Sequence, residues 1–87
     1  LMFDLLVVSP KRVIFDEAVE KVRLDGDQSE YEFLSFHART MGKLRQGNVI
    51  IDEKHTIPIK SGVVRFIDNQ CTILCEEMVG YAPREKD

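Results

Sequence analysis

Short apolar runs separated by polar turns fill this chain, and several of them alternate with a period of two, the spacing of a half-buried strand. Phe3 to Val8 is the first such run, stopped by Ser9-Pro10, where proline lacks the amide hydrogen a ladder needs. Arg12 to Phe15 is a second. Ala18 to Leu24 reads as a third, with Val22 and Leu24 on one face and Lys21 and Arg23 on the other. Asp25-Gly26-Asp27-Gln28-Ser29 is then a polar turn. Tyr31 to Leu34 is a short strand, and Ser35 to Gly42 reads as a loop crossing one end of the fold. Lys43-Leu44 leads into the turn signal Gln46-Gly47-Asn48. Val49-Ile50-Ile51 and His55 to Lys60, joined by Asp52-Glu53-Lys54, form a hairpin, and Pro58 directs its second strand toward a sheet edge. Ser61-Gly62 breaks that run. Val63 to Ile67 and Gln70 to Cys75 flank Asp68-Asn69, two residues that tolerate left-handed backbone, which makes a second hairpin. After Glu76-Glu77 the pattern decays. No segment has convincing helical periodicity. Turn signals every 8–12 residues or so point to an all-β fold, an eight- to ten-stranded β-sandwich or flattened barrel.

Length and charge narrow the function classes. With 87 residues the chain holds one domain, expected over 2–78 with a tail over 79–87. Leu1, ahead of Met2, reads as a cloning remnant. Twelve basic and 15 acidic side chains give a formal net charge of −3, which provides no electrostatic footprint for nucleic acid or anionic lipid. No apolar run approaches the ~20 residues that span a bilayer, and no secretory signal pattern opens the chain.

The chemistry-bearing residues are sparse. Cys71 and Cys75 would sit about 13 Å apart along one strand, too far for a disulfide, which needs Cα atoms within about 7 Å. A zinc site would want a closer pair plus further Cys or His ligands, so both read as reduced, buried or half-buried residues. Asp16, Glu17, Glu20, Asp25, Asp27, Glu30, Glu32, Asp52 and Glu53 are scattered over turns and solvent faces. None forms the acid–base pair in unlike environments that catalysis requires. There is no nucleophile elbow and no phosphate-binding glycine loop. His37, in Phe36-His37-Ala38, reads first as a residue that orders its loop, and His55 as solvated. No catalytic, cofactor or metal site is expected. The expectation for a small β domain of this kind is that it works by binding another protein.

One ordered set of residues carries more. Phe-Asp-Leu-Leu-Val-Val-Ser-Pro over Phe3 to Pro10 is followed by Ile14-Phe15-Asp16 and by Ala18-Val19-Glu20-Lys21-Val22-Arg23-Leu24. Gly26 and Glu30 to Ala38 come next, then Leu44 and Gly47. Ser61 to Phe66 and Asn69 to Leu74 complete the set. From Phe3 to Glu77 this order resembles the N-terminal β-sandwich of the epsilon subunit of F-type ATP synthases, called delta in mitochondria. The family pattern has a strand ending in Val-Val-Ser or Val-Thr-Pro, a Val-x-x-Val-x-Leu strand and a Gly-Glu-Phe-Gly-Ile-Leu-Pro-Gly-His-Ala loop. It ends in Ser-Gly-Gly-Phe-Leu-Glu-Val and Asn-x-Val-Thr-Val-Leu strands. This chain departs from it at Glu32, at Ser35-Phe36 in place of Pro-Gly, at Ala38-Arg39 in place of Ala-Pro, and at Ser61.

The resemblance implies a non-catalytic rotor subunit on the central stalk. Its partners would be the gamma subunit and the membrane c ring, and it would couple ion flow to ATP synthesis. That places it at the cytoplasmic face of a bacterial plasma membrane, held peripherally through the complex. Carried over by position, Glu30, Tyr31 and Glu32 would face the c ring, and Ser9, His37 and Gly42 the gamma subunit. Family members continue into a C-terminal helical hairpin that inhibits ATP hydrolysis and in some binds ATP. This chain ends near where that hairpin begins, so those functions are not carried over. The competing expectation is an unrelated small β-sandwich that binds proteins, with an edge strand near Pro58 recruiting a partner strand.

Overall fold

The computed structural model describes residues 1–78 and Gly80. The expected C-terminal tail, apart from Gly80, lies outside the described residues. Eight strands follow one another: β1 (Phe3–Val8), β2 (Val13–Val19), β3 (Lys21–Asp25), β4 (Glu30–Leu34), β5 (Thr40–Leu44), β6 (Gly47–Ile51), β7 (His55–Ile67) and β8 (Gln70–Glu77). There is no helix among the described residues. The expected all-β architecture and both expected hairpins are present. Asp68 and Asn69 have φ of 52° and 60°, the left-handed pair of a two-residue hairpin turn.

Three expected boundaries move, each for a tertiary reason. The run Ala18 to Leu24 is not one strand. Ala18 and Val19 pair with Asp4 and Phe3 at the end of β2, whereas Val22 and Arg23 pair with β4 and β6. The chain turns at Glu20, where the Glu20 and Lys21 amides both donate to Asp52 Oδ1, at 2.8 and 2.9 Å. The expected loop from Ser35 to Gly42 is half strand, because Thr40–Leu44 finds a partner in β7. Ser61-Gly62 does not break its run either. β7 continues for 13 residues through a register shift between Ile59 and Ser61.

That long strand organises the molecule. The sheet order is β2-β1-β8-β7-β6-β3-β4, with β5 also on β7. All pairs are antiparallel except β1–β8. The first part of β7, His55 to Ile59, pairs with β6, and Gly62 to Phe66 pairs with β5. One strand thus belongs to two layers: β5-β7-β8-β1-β2 on one side and β7-β6-β3-β4 on the other. A bridge between Gly26 and Leu44 joins the layers again at one end. Pro58 lies opposite Asn48 of β6, next to the point where pairing with β8 begins at Ile59. Its missing amide is tolerated there, but β7 is interior to the sheet and is not the expected edge. The edges among the described residues are β2, β4 and β5.

The inward positions of both layers form one core. Phe3, Leu5 and Val7 come from β1, Val22 and Leu24 from β3, Phe33 from β4, Val49 and Ile51 from β6, Val64 and Phe66 from β7, and Ile73 from β8. Alternation with period two explains nearly every one of them. Cys71 and Cys75 occupy the same face as Ile73, buried and unpaired. Burial pushes the Cys71 thiol up to about 12, so it behaves as a small apolar residue.

Candidate interaction surfaces

The loop after β4 is built on a stack of rings. Phe33 and Phe66, from opposite layers, lie 5.2 Å apart and nearly parallel. His37 sets its ring edge against both, at 4.7 and 5.6 Å. Its amide donates to the Leu34 carbonyl, and Nδ1 lies 2.9 Å from the Ala38 carbonyl. His37 therefore orders the loop, and its outer side remains exposed. The preceding residue, Phe36, has φ of 61°. A left-handed backbone is costly for a bulky side chain. Neighbours impose it: the Phe36 amide donates to Asn69 Oδ1 at 2.6 Å, and Ser35 Oγ donates to the Met2 carbonyl at 2.8 Å. The Phe36 ring is left 71% exposed.

Ser9 is nearly buried and already occupied. Its hydroxyl donates to Glu77 Oε2 at 2.9 Å and accepts from the Lys11 and Arg12 amides. Arg12 closes the group by gripping the same Glu77 carboxylate through Nε and Nη2. This Arg12 contact holds the Glu77 carboxyl below its usual range. The cluster ties the β1–β2 turn to the end of β8. Ser9 and His37 are not brought together: His37 stands beside Phe66, and Ser9 follows the opposite end of β1.

Glu30, Tyr31 and Glu32 divide by strand alternation. Glu30 and Glu32 point outward from β4, opposite Asp25 and Arg23 of β3. Tyr31 turns inward, stacked on Phe33 at 5.6 Å. A Cβ at Gly42 would fall within 2.6 Å of Tyr31 Cζ, and one at Gly26 within 2.6 Å of its Cε2. Both glycines are the floor on which the ring lies. Gly42 and Tyr31 are thus neighbours. The outer face of β3 and β4 is charged and internally paired. Arg23 meets Glu53 through two hydrogen bonds of 2.7 and 3.0 Å, and Lys21 reaches Glu32 and Glu53 at 3.6 and 3.3 Å. The Arg23 contact lowers the Glu53 carboxyl to about 2.

The other layer has a different exterior. Register places Lys43, Val63, Leu74, Val8 and Val13 in a row across five strands, all on the outward face. The next row is Met41, Arg65, Thr72, Leu6 and Asp16. Met41 is 68% exposed and Leu74 51%. Between them runs an apolar groove of about 500 Å³. Strand alternation alone did not mark these residues, because an apolar residue on an outward position reads as noise within one strand. The row appears only when five strands are in register. Among the described residues no three His, Cys, Asp or Glu side chains converge as metal ligands.

This geometry meets its relatives at the level of sequence. A family model described as "ATP synthase, Delta/Epsilon chain, beta-sandwich domain" matches residues 2–80. The chain belongs to that family. Its curated relatives include the ATP synthase epsilon chain of a Sulfurovum species, 28% identical over 99% of this chain and 70% of the relative. That of a Nitratiruptor species is 33% identical over 84% of this chain and 60% of the relative. The chain therefore spans roughly two thirds of the epsilon chains it matches. Two solved assemblies contain the same fold. A chain of the Tetrahymena thermophila mitochondrial ATP synthase central stalk/c-ring superposes with a TM-score of 0.72 at 12% identity, over 85% of this chain and 63% of that one. A chain of the Euglena gracilis mitochondrial ATP synthase OSCP/F1/c-ring superposes with a TM-score of 0.77 at 18% identity, over 87% and 51%. This epsilon-type sandwich is thus an all-β domain with one exterior that carries a contiguous apolar run and one that is charged and internally paired.

Proposed function

We propose that this sandwich is a non-catalytic rotor part, seated on the gamma subunit through the outer face of the β5-β7-β8-β1-β2 layer and turned toward the c ring by the Glu30 end of β4. The observation that carries the reading is the run of outward apolar residues Val63, Leu74, Val8 and Val13 on that face, with Met41 and Leu6 beside it. Contiguous exposed apolar surface on a small domain marks a partner interface, and among the described residues the opposite layer has none of comparable extent. Membership of an ATP synthase family supports a partner within that complex. In this reading the domain links gamma to the c ring and couples ion flow to ATP synthesis, on the cytoplasmic face of a bacterial plasma membrane.

The individual residues then take different parts. Gly42 borders the apolar groove, so it meets gamma directly while holding Tyr31 beneath. Ser9 supports the turn beside the Val8–Val13 end of the row. His37 presents its exposed side from the far end of the layer. Glu30 and Glu32 offer carboxylates to polar or basic c-ring loops, and Tyr31 fixes the strand that carries them.

Light scattering after size exclusion, with this chain and its cognate gamma subunit, tests the reading. A one-to-one complex that Leu74→Glu abolishes and Glu30→Lys leaves intact is expected. In assembled rotors Glu30→Lys should weaken c-ring retention at low salt. A folded chain that forms no complex with gamma would overturn the assignment.

A further inference from the structure

Two cations stand in the double row across β5-β7-β8-β1-β2, and its one carboxylate, Asp16, lies three strands away from Arg65. Lys43 and Arg65 lie on adjacent strands, diagonal to each other, because Lys43 pairs with Val63 and Met41 with Arg65. Diagonal neighbours of this kind are roughly 7–8 Å apart at Cα. Both side chains are exposed and both line the groove with Met41, Val63 and Leu74. Many of the other surface cations are matched: Lys21 and Arg23 with Glu53, Arg45 with Asp25, Lys60 with Glu76. Neither Lys43 nor Arg65 forms a salt bridge with a carboxylate among the described residues. Within a chain of net charge −3, an unmatched pair of cations inside the apolar face is a local reversal of sign.

Resting on the gamma-binding reading, we infer that Lys43 and Arg65 are specificity determinants that clamp a carboxylate, carried among apolar side chains on the gamma segment seated in this groove. The apolar rows provide contact area, and they would accept many apolar surfaces. A pair of cations that must be desolvated on docking rejects any surface that brings no anion. Charge complementarity of this type sets partner choice and association rate more than contact area does. The two long aliphatic stems can lie along the groove while their heads converge on one carboxylate.

The test uses the whole chain and its cognate gamma subunit in a binding titration at low and high salt. Lys43→Met and Arg65→Met keep the stems and remove the charges, at exposed positions where folding does not depend on them. Each is expected to weaken the complex about tenfold at low salt, mostly through slower association, with the deficit shrinking as salt rises. Leu74→Glu serves as the control for the face itself. If wild type binds, Leu74→Glu abolishes binding and both methionine variants bind like wild type at every salt, the carboxylate clamp is wrong while the gamma-binding reading stands. If wild type does not bind gamma, both fall. If the methionine variants keep gamma affinity but lose binding to phosphatidylglycerol vesicles, the cations serve an anionic membrane, and the inference is overturned.

Discussion

Phe33 is where the two layers and the His37 loop meet, so its removal measures how far the domain depends on that joint. The side chain is fully buried and contacts three rings, Tyr31, Phe66 and His37. Phe33→Ala removes a whole ring from the core and leaves a cavity that β4, an edge strand held by β3 alone, can close only in part. Transfer and cavity effects together give a loss of about 3–5 kcal/mol. Lost ring–ring geometry, at about 0.5–1.5 kcal/mol per pair, places this site toward the upper end. Marginal stability of about 0.05–0.15 kcal/mol per residue gives roughly 4–13 kcal/mol for 87 residues. The alanine variant should therefore lose at least about a third of the total stability, whereas Phe33→Leu should lose about 1–2 kcal/mol, or roughly 5–15 °C in Tm. The chain has no tryptophan, so urea unfolding is best followed by far-ultraviolet circular dichroism. Amide exchange in the leucine variant should quicken first at Phe36 and His37. An alanine variant that loses under about 1 kcal/mol, or a leucine variant with unchanged exchange at those amides, would refute the claim that this ring joins loop and layers.

Further outcomes follow from the same geometry. Gly42→Ala should cost about 1–3 kcal/mol, because the new Cβ meets the Tyr31 ring; a denaturant midpoint equal to wild type would show that the ring moves freely. Phe36→Gly should stabilise by about 1 kcal/mol, since glycine accepts the left-handed backbone; a lower midpoint would mean the exposed ring contributes packing after all. The Arg23–Glu53 pair predicts a pH effect of definite sign. Glu53 is lowered from an ordinary 4.5 to about 2, so its contribution is present above about pH 4.5 and lost as pH falls toward 2. Wild type should lead Glu53→Gln near neutral pH and converge with it near pH 2, and a gap independent of pH would contradict this.

The strands that could be read from sequence are those whose pattern is closed locally. β1, β6 and β8 are short apolar runs that end in turn residues, and both hairpins carry polar or left-handed-tolerant turns. What escaped was decided by partners far along the chain. Glu20 is a corner only because Asp52, 32 residues away, takes two amides there. Thr40–Leu44 is a strand only because β7 is long enough to reach it after serving β6. The same holds for the surfaces. Glu30 and Glu32 are outward by simple alternation, and Tyr31 is inward by the same rule. The apolar run on the other exterior needs five strands in register, including the parallel β1–β8 pair that joins the first and last described strands. Family resemblance named the residues Ser9 and Gly42, but only packing shows that Ser9 is committed to Glu77 and Gly42 to Tyr31.

β7 also explains why the two exteriors form one mechanical body. A force on the groove acts on Val63 and Arg65, which belong to the same continuous strand as Ile57 and Ile59. Those residues pair with β6, which pairs with β3, which carries β4 and its carboxylates. The path from the apolar face to Glu30 and Glu32 thus runs through backbone ladders and buried side chains without crossing a loop. Interiors packed at crystal-like density have low compressibility and transmit displacement. The Gly26–Leu44 bridge and the Phe33–Phe66 stack tie the layers at two further places, so they cannot slide past each other without breaking core contacts. Short connections and two-layer sharing of one strand are what a small domain needs to carry load between unlike surfaces. A sandwich whose layers were joined only by flexible loops would dissipate it.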